Sequence, residues 1–176
     1  TYKKDKINLM DRIYMTGVGG MLGEAFYDKF RQNFNLKCTD IYVNEEWLTY
    51  LDFRDFESYN RDVVNFQPEW LFHIGAYTDL EYCELHKEDT YATNTESVQH
   101  AVNIANELSI PILYISTAGI FDGKKDVYDE SDTPNPIGHY AKSKYNGEKY
   151  VIGNAQDYLI CRAGWMMGGG PKKDKK

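Results

Sequence analysis

Short apolar runs alternate along the chain with longer segments of helical spacing. Arg12-Ile13-Tyr14-Met15 ends at Thr16-Gly17, and Leu36-Lys37-Cys38-Thr39 ends on Asp40. Trp70-Leu71-Phe72-His73-Ile74 stops at Gly75-Ala76, Pro111-Ile112-Leu113-Tyr114-Ile115 at Ser116-Thr117, and Tyr158-Leu159-Ile160-Cys161-Arg162 closes the series. Between them Leu22, Ala25, Phe26 and Phe30 fall on one helical face, as do Val98, Ala101, Val102, Ala105 and Leu108. These spacings predict helices after residue 20, over 55–66 (stopped by Gln67-Pro68), over 89–108 and over 140–153. Residues 41–54 read as irregular chain, and Gly168-Gly169-Gly170-Pro171 as a breaker run.

Strands that are apolar throughout are buried on both faces. Alternating with helices, they predict an α/β domain: a doubly wound parallel sheet with helices on both faces, over residues 12–170. Residues 1–11 form a polar extension before it, and 171–176 a basic tail behind it. Ligands of such folds bind at the carboxyl ends of the strands. That rule points to 17–23, Asp40, 75–78, 116–118 and 163–165 before any motif is considered.

Composition narrows the function classes. Twenty Lys and Arg against 27 Asp and Glu give a net charge of −7, which offers no basic face for nucleic acid. No apolar stretch is long enough to span a membrane, and the first residues lack the apolar core of a signal peptide, so a cytoplasmic location is expected. Cys38, Cys83 and Cys161 are odd in number and far apart, which predicts reduced thiols. His73, His86, His100 and His139 show no ligand spacing, so no metal site is expected.

Two constellations carry chemistry. Gly17, Gly20 and Gly23 are spaced G-x-x-G-x-x-G between a predicted strand and helix, a Rossmann-like arrangement. Gly17 permits the tight turn, Gly20 lets backbone approach a pyrophosphate, and Gly23 lets the helix pack close, while the helix N-terminus faces the phosphates. The alternative is a turn needed only for packing. Asp40 ends the second strand, where a carboxylate reads ribose hydroxyls and repels a 2′-phosphate, favouring NAD over NADP. Asp52 and Phe53 lie where they would flank an adenine, unless Phe53 is simply buried. The second constellation is Tyr140 and Lys144, four apart on a predicted helix, with Thr117 ending the strand before it. An ammonium beside a phenol stabilises the phenolate and lowers its pKa, which suits proton transfer.

Taken in order, Thr16–Gly23, Asp52-Phe53, Ile74–Thr78, Ile115–Gly123 and Tyr140-x-x-x-Lys144 resemble the extended short-chain dehydrogenase/reductase superfamily. Ser116–Gly123, Asn135–Tyr140 and Arg162–Trp165 are similar to its dTDP-4-dehydrorhamnose reductase branch. The resemblance implies reduction of a nucleotide-linked 4-keto sugar. Tyr140 would protonate the C4 oxygen, Lys144 would tune it and hold the nicotinamide ribose, and Thr117 would hydrogen-bond the same oxygen. Gly17, Gly19, Gly20, Met21, Leu22 and Gly23 would cradle the pyrophosphate, and Gly75, Ala76, Tyr77 and Ser116 would line the nicotinamide half. The rivals are a nucleotide-sugar 4-epimerase that retains its NAD and a non-catalytic cofactor-binding regulatory subunit. Ala118 and Gly119 depart from the reductase pattern, which has an acid and a tyrosine there, and they also lack the Asp-Glu pair of a dehydratase. The acids of Asp79–Glu84 would either meet substrate hydroxyls or be solvated. Members of the branch continue well beyond this length, so the C-terminal substrate domain is expected to be absent, leaving a chain that binds cofactor but turns over poorly. Homodimers through the two long helices would be possible.

Overall fold

A computed structural model describes residues 11–166. Six parallel strands form one sheet in the order β3-β2-β1-β4-β5-β6. They are β1 (Arg12–Thr16), β2 (Asn35–Asp40), β3 (Leu48–Tyr50), β4 (Trp70–His73), β5 (Ile112–Thr117) and β6 (Tyr158–Ala163). The order reverses between β1 and β4, so the crevice at their carboxyl ends is the topological switch point where such sheets bind ligands.

Alternation along the strands builds two cores. Ile13, Met15, Cys38, Phe72, Leu113 and Ile115 face one side and meet Leu22, Phe26 and Phe30 of α1 (Met21–Phe30). Tyr14, Leu71, Ile112 and Tyr114 face the other, against α2 (Phe56–Phe66), α5 (Ser97–Leu108) and α6 (His139–Asn154). Neighbouring residues of one strand thus belong to different cores, which is why the sequence runs are continuously apolar. The predicted doubly wound sheet is present, with one helix on the first face and three on the second. All three thiols are free, Cys38 and Cys83 buried and Cys161 exposed. Among the described residues no helix is long and apolar enough to cross a membrane.

Three expectations need correction. Within the segment read as irregular, Leu48–Tyr50 adds a third strand to the edge of β2. Only Leu48 of the three is buried, so three residues carried too little pattern to register. The predicted loop acids of 79–84 belong largely to a helix, α3 (Leu80–Leu85), started by the Asp79 carboxylate accepting from Tyr82 N–H. The predicted helix 89–108 is composite: α4 (Lys87–Tyr91), a π-helical turn over Ala92–Glu96, then α5. The glycine run 168–170, the tail 171–176 and all of the extension except Asp11 lie outside the described residues.

His73 joins the layers at the end of β4. It is fully buried, with Nδ1 3.3 Å from the Tyr59 hydroxyl and Nε2 3.1 Å from Ser97 Oγ. The Ser97 hydroxyl proton goes to the Thr93 carbonyl at 2.5 Å, so Ser97 must accept from His73 Nε2–H. Nδ1 then accepts from Tyr59, which fixes a neutral tautomer. Burial, with Lys144 nearby, pushes the imidazole down to about 3. In the unfolded chain it titrates near ~6.5. Between those values the unfolded state binds the extra proton, so stability falls as pH drops below about 6.5. The urea midpoint should therefore decline between about pH 6.5 and 5, and His73→Gln should flatten that limb.

Candidate active site

The carboxyl end of β1 turns sharply. Gly17 has φ +74°, and its N–H donates to the Thr39 carbonyl at 2.8 Å. A Cβ on Gly17 would lie 2.0 Å from Gly75 Cα, so the turn after β1 and the end of β4 touch backbone to backbone. One turn later a Cβ on Gly23 would meet the Val18 carbonyl oxygen at 2.0 Å, closing α1 onto the turn. Gly20, between them, faces open space and begins α1 with no side-chain cap. The first N–H groups of α1 near Met21 and Leu22 thus point into the crevice, an arrangement suited to an anion. The turn residues 17–23 predicted from sequence come together here.

Asp40 comes to the same place. Its Oδ2 accepts from Gly19 N–H at 2.8 Å and its Oδ1 from Tyr42 N–H at 2.9 Å. Asp52 and Phe53 are otherwise engaged. The Asp52 carboxylate grips Arg54 through Nη2 at 2.6 Å and Nε at 2.9 Å, which holds it below the usual carboxylate range. Arg54 reaches on to Asp89 at 2.8 Å. The Phe53 ring is buried beneath the glycine turn, 5.0 Å from the His73 ring. Contact with an adenine would fall to the backbone of these two residues.

The π turn supplies a residue that the sequence reading missed. Asn94 is fully buried; its Oδ1 accepts from Tyr77 N–H at 2.8 Å and its Nδ2 donates to the Tyr77 carbonyl at 2.9 Å. It pairs with the strand extension after β4 as another strand would, holding Ala76-Tyr77 at the crevice wall. Nδ2 also lies 3.1 Å from Ser143 Oγ on α6, and Thr95 Oγ1 donates to the Ser143 carbonyl at 2.8 Å. Buried Thr90, Thr93 and Ser97 flank it, so its sequence neighbours gave no contrast that would single it out.

Helix α6 carries Tyr140 and Lys144 on one side, as their spacing predicts. Its N-cap, Gly138, has no side-chain cap, and the His139 N–H donates instead to Glu84 Oε1 of α3 at 2.6 Å. Two of the three acids expected to meet substrate or solvent, Asp79 and Glu84, therefore start helices. The Tyr140 phenol is within hydrogen-bonding reach of the Thr117 side chain. Thr117 Oγ1 also accepts from Gly119 N–H at 3.0 Å, which orients it at the end of β5. Next to it, buried Ser116 Oγ has no protein partner, a polar atom left for a ligand.

Protonation differs from expectation. Burial raises the Tyr140 phenol above its ordinary value, only partly offset by Thr117, so it is not lowered by the ammonium. The physical reason lies in where Lys144 sits. Its Nζ lies 4.3 Å from the Tyr114 ring centroid, fully buried, and burial pushes it down to about 7 while Glu148 opposes the shift. At neutral pH Tyr140 is a protonated donor, while burial draws the Lys144 amine down toward neutrality.

The sequence profile of the family described as RmlD substrate binding domain matches residues 10–175. The chain belongs to this family. Among its relatives, dTDP-4-dehydrorhamnose reductase of Aggregatibacter actinomycetemcomitans is 30% identical over 165 residues, 90% of this chain and 53% of that protein. Methionine adenosyltransferase 2 subunit beta of Bos taurus is 28% identical over 162 residues, 90% of this chain and 48% of its own length. A dTDP-4-dehydrorhamnose reductase of Bacillus anthracis, solved in complex with NADP, superposes with a TM-score of 0.80 at 26% identity, over 88% of this chain and 54% of that one. The chain spans about half the length of the RmlD-family relatives it matches, corresponding to their N-terminal portion.

Gly20 and Gly23 should separate under substitution. Gly23→Ala drives a methyl into a carbonyl and should cost about 2 kcal/mol or more in denaturant unfolding. Gly20→Ala meets nothing and should cost less than about 1 kcal/mol, while weakening dinucleotide binding.

Proposed function

We propose that this chain is the cofactor-binding and proton-transfer half of an NAD(P)-dependent oxidoreductase that reduces a nucleotide-linked 4-keto sugar. The observation that carries the reading is the Tyr140 phenol within reach of Thr117 at the carboxyl end of β5, with Lys144 one helical turn along α6, together with the uncapped start of α1. A binding module needs the second of these and has no use for the first.

The residues present fit a nicotinamide dinucleotide. The N–H groups at Gly20–Leu22 would take the pyrophosphate, the backbone around Asp52 and Phe53 the adenine side, and Ala76, Tyr77 and the unpartnered Ser116 Oγ the nicotinamide side. When bound, that group supplies the hydride. Thr117 and Tyr140 hold the carbonyl oxygen of the substrate between them and orient it. Tyr140, protonated at neutral pH, hands its proton to that oxygen as negative charge develops there. Lys144 lies one helical turn along and restores the proton to Tyr140, a role suited to an amine held near 7. The preference for NAD expected from Asp40 gains no support: both carboxylate oxygens already accept backbone N–H groups, and the B. anthracis relative was solved with NADP.

The match to methionine adenosyltransferase 2 subunit beta favours a second reading, a cofactor-binding subunit of another enzyme. Titration with NADPH and NADH, followed by fluorescence and thermal shift, tests what both readings share. Stabilisation by either is expected, and a cooperative melt with no response to either overturns both. Tyr140→Phe separates them. On the reductase reading it should keep cofactor affinity within about threefold and lower hydride transfer at least about a hundredfold. Turnover unaffected by the change would reject Tyr140 as the acid.

A further inference from the structure

Helix α6 continues its inward face past the pair already discussed. Tyr140, Lys144 and Glu148 follow at four-residue intervals, and Glu148 is fully buried. Its carboxylate is held by Arg162 of β6, with Nη2 to Oε1 at 2.8 Å and Nε to Oε1 and Oε2 at 3.2 and 3.3 Å. The guanidinium is itself fixed, 5.5 Å from the Phe121 ring and 3.4 Å from the Glu130 carbonyl. As stabilising devices, ion pairs at such depth are poor, since apolar residues of like volume usually do as well or better. The pair calls for another reason, and its neighbour provides one.

We propose that Glu148 and Arg162 are a positioning pair that sets the seat and charge of Lys144, and through it the proton supply to Tyr140. Lys144 is faced by Glu148 from its own helix, by the Tyr114 ring from β5 and by neutral His73 from β4. Among these, Glu148 is the one anion. Without it, a fully buried ammonium would be discharged well below neutrality. With Glu148 unopposed, the ammonium would be held too firmly to release a proton. Arg162, behind the carboxylate, reduces its pull to an intermediate strength. The pair also anchors α6 to β6, keeping the Lys144 amine over Tyr114.

The proposal rests on the proton-transfer reading for its use, but its test does not. The Lys144 amine is titrated in the 176-residue chain without cofactor, by ¹⁵N NMR of the side-chain nitrogen, assigned by its loss in Lys144→Arg. Glu148→Gln and Arg162→Met both break the same ion pair. A purely structural pair predicts the same outcome for each. On our proposal they move Lys144 in opposite directions: its midpoint falls by about one unit in Glu148→Gln and rises by a similar amount in Arg162→Met. Arg162→Lys, which retains a cation against Glu148, leaves it in place. A midpoint unmoved in Arg162→Met, or moved the same way in both, overturns the proposal. Arg162 is partly exposed, so its variant remains informative if Glu148→Gln does not fold. Failure of cofactor binding in the same chain would sink the function proposed above and leave this result standing.

Discussion

Everything at the crevice depends on the contact of two backbones, at Gly17 and Gly75. A Cβ on either would intrude on the other strand's main chain or on the Phe53 ring. That contact brings the start of α1 level with the end of β4. The glycine turn after β1 and the segment after β4 are therefore locked together, main chain against main chain. The Phe53 ring lies under the junction, and His73 packs against it from the second core. One added methyl at the junction would force the end of β1 and the end of β4 apart.

A second constraint concerns charge. The second core buries an imidazole, an amine and a carboxylate on β4 and α6. Each is made tolerable by a different means. His73 is held neutral by two hydrogen bonds of fixed polarity, Lys144 lies on an aromatic face, and Glu148 is clasped by a guanidinium.

The sheet was largely readable in the sequence because burial on both faces leaves a run with no polar gaps, as in Trp70–Ile74. The glycine turn was readable because its residue requirements are steric, and Tyr140 with Lys144 because helical spacing places them together. What escaped was what tertiary contact decides. Leu48–Tyr50 becomes a strand only because β2 is there to pair with it. The π turn leaves no composition signature, and Asn94 looked like any helix polar residue until Tyr77 was found beside it. Glu148 was legible in principle, as the next step in the spacing of Tyr140 and Lys144. Asp40 and Phe53 have contacts that spacing could not show: Asp40 accepts from the Gly19 and Tyr42 N–H groups, and the Phe53 ring is buried.

The borrowed cap of α6 has a consequence for how the molecule opens. α2 and α3 begin on caps of their own, Asp55 and Asp79, but α6 begins on a carboxylate belonging to α3. The first turn of the helix that carries Tyr140 is therefore secured in part by α3, beside the Tyr91 hydroxyl that meets His139 Nδ1 at 3.3 Å. α3 is short and largely exposed, the kind of segment that unfolds locally at small cost. When it does, the tyrosine loses its fixed bearing while the rest of the sheet stays intact. The setting of the Tyr140 turn is thus linked to local opening of a six-residue helix as well as to global stability.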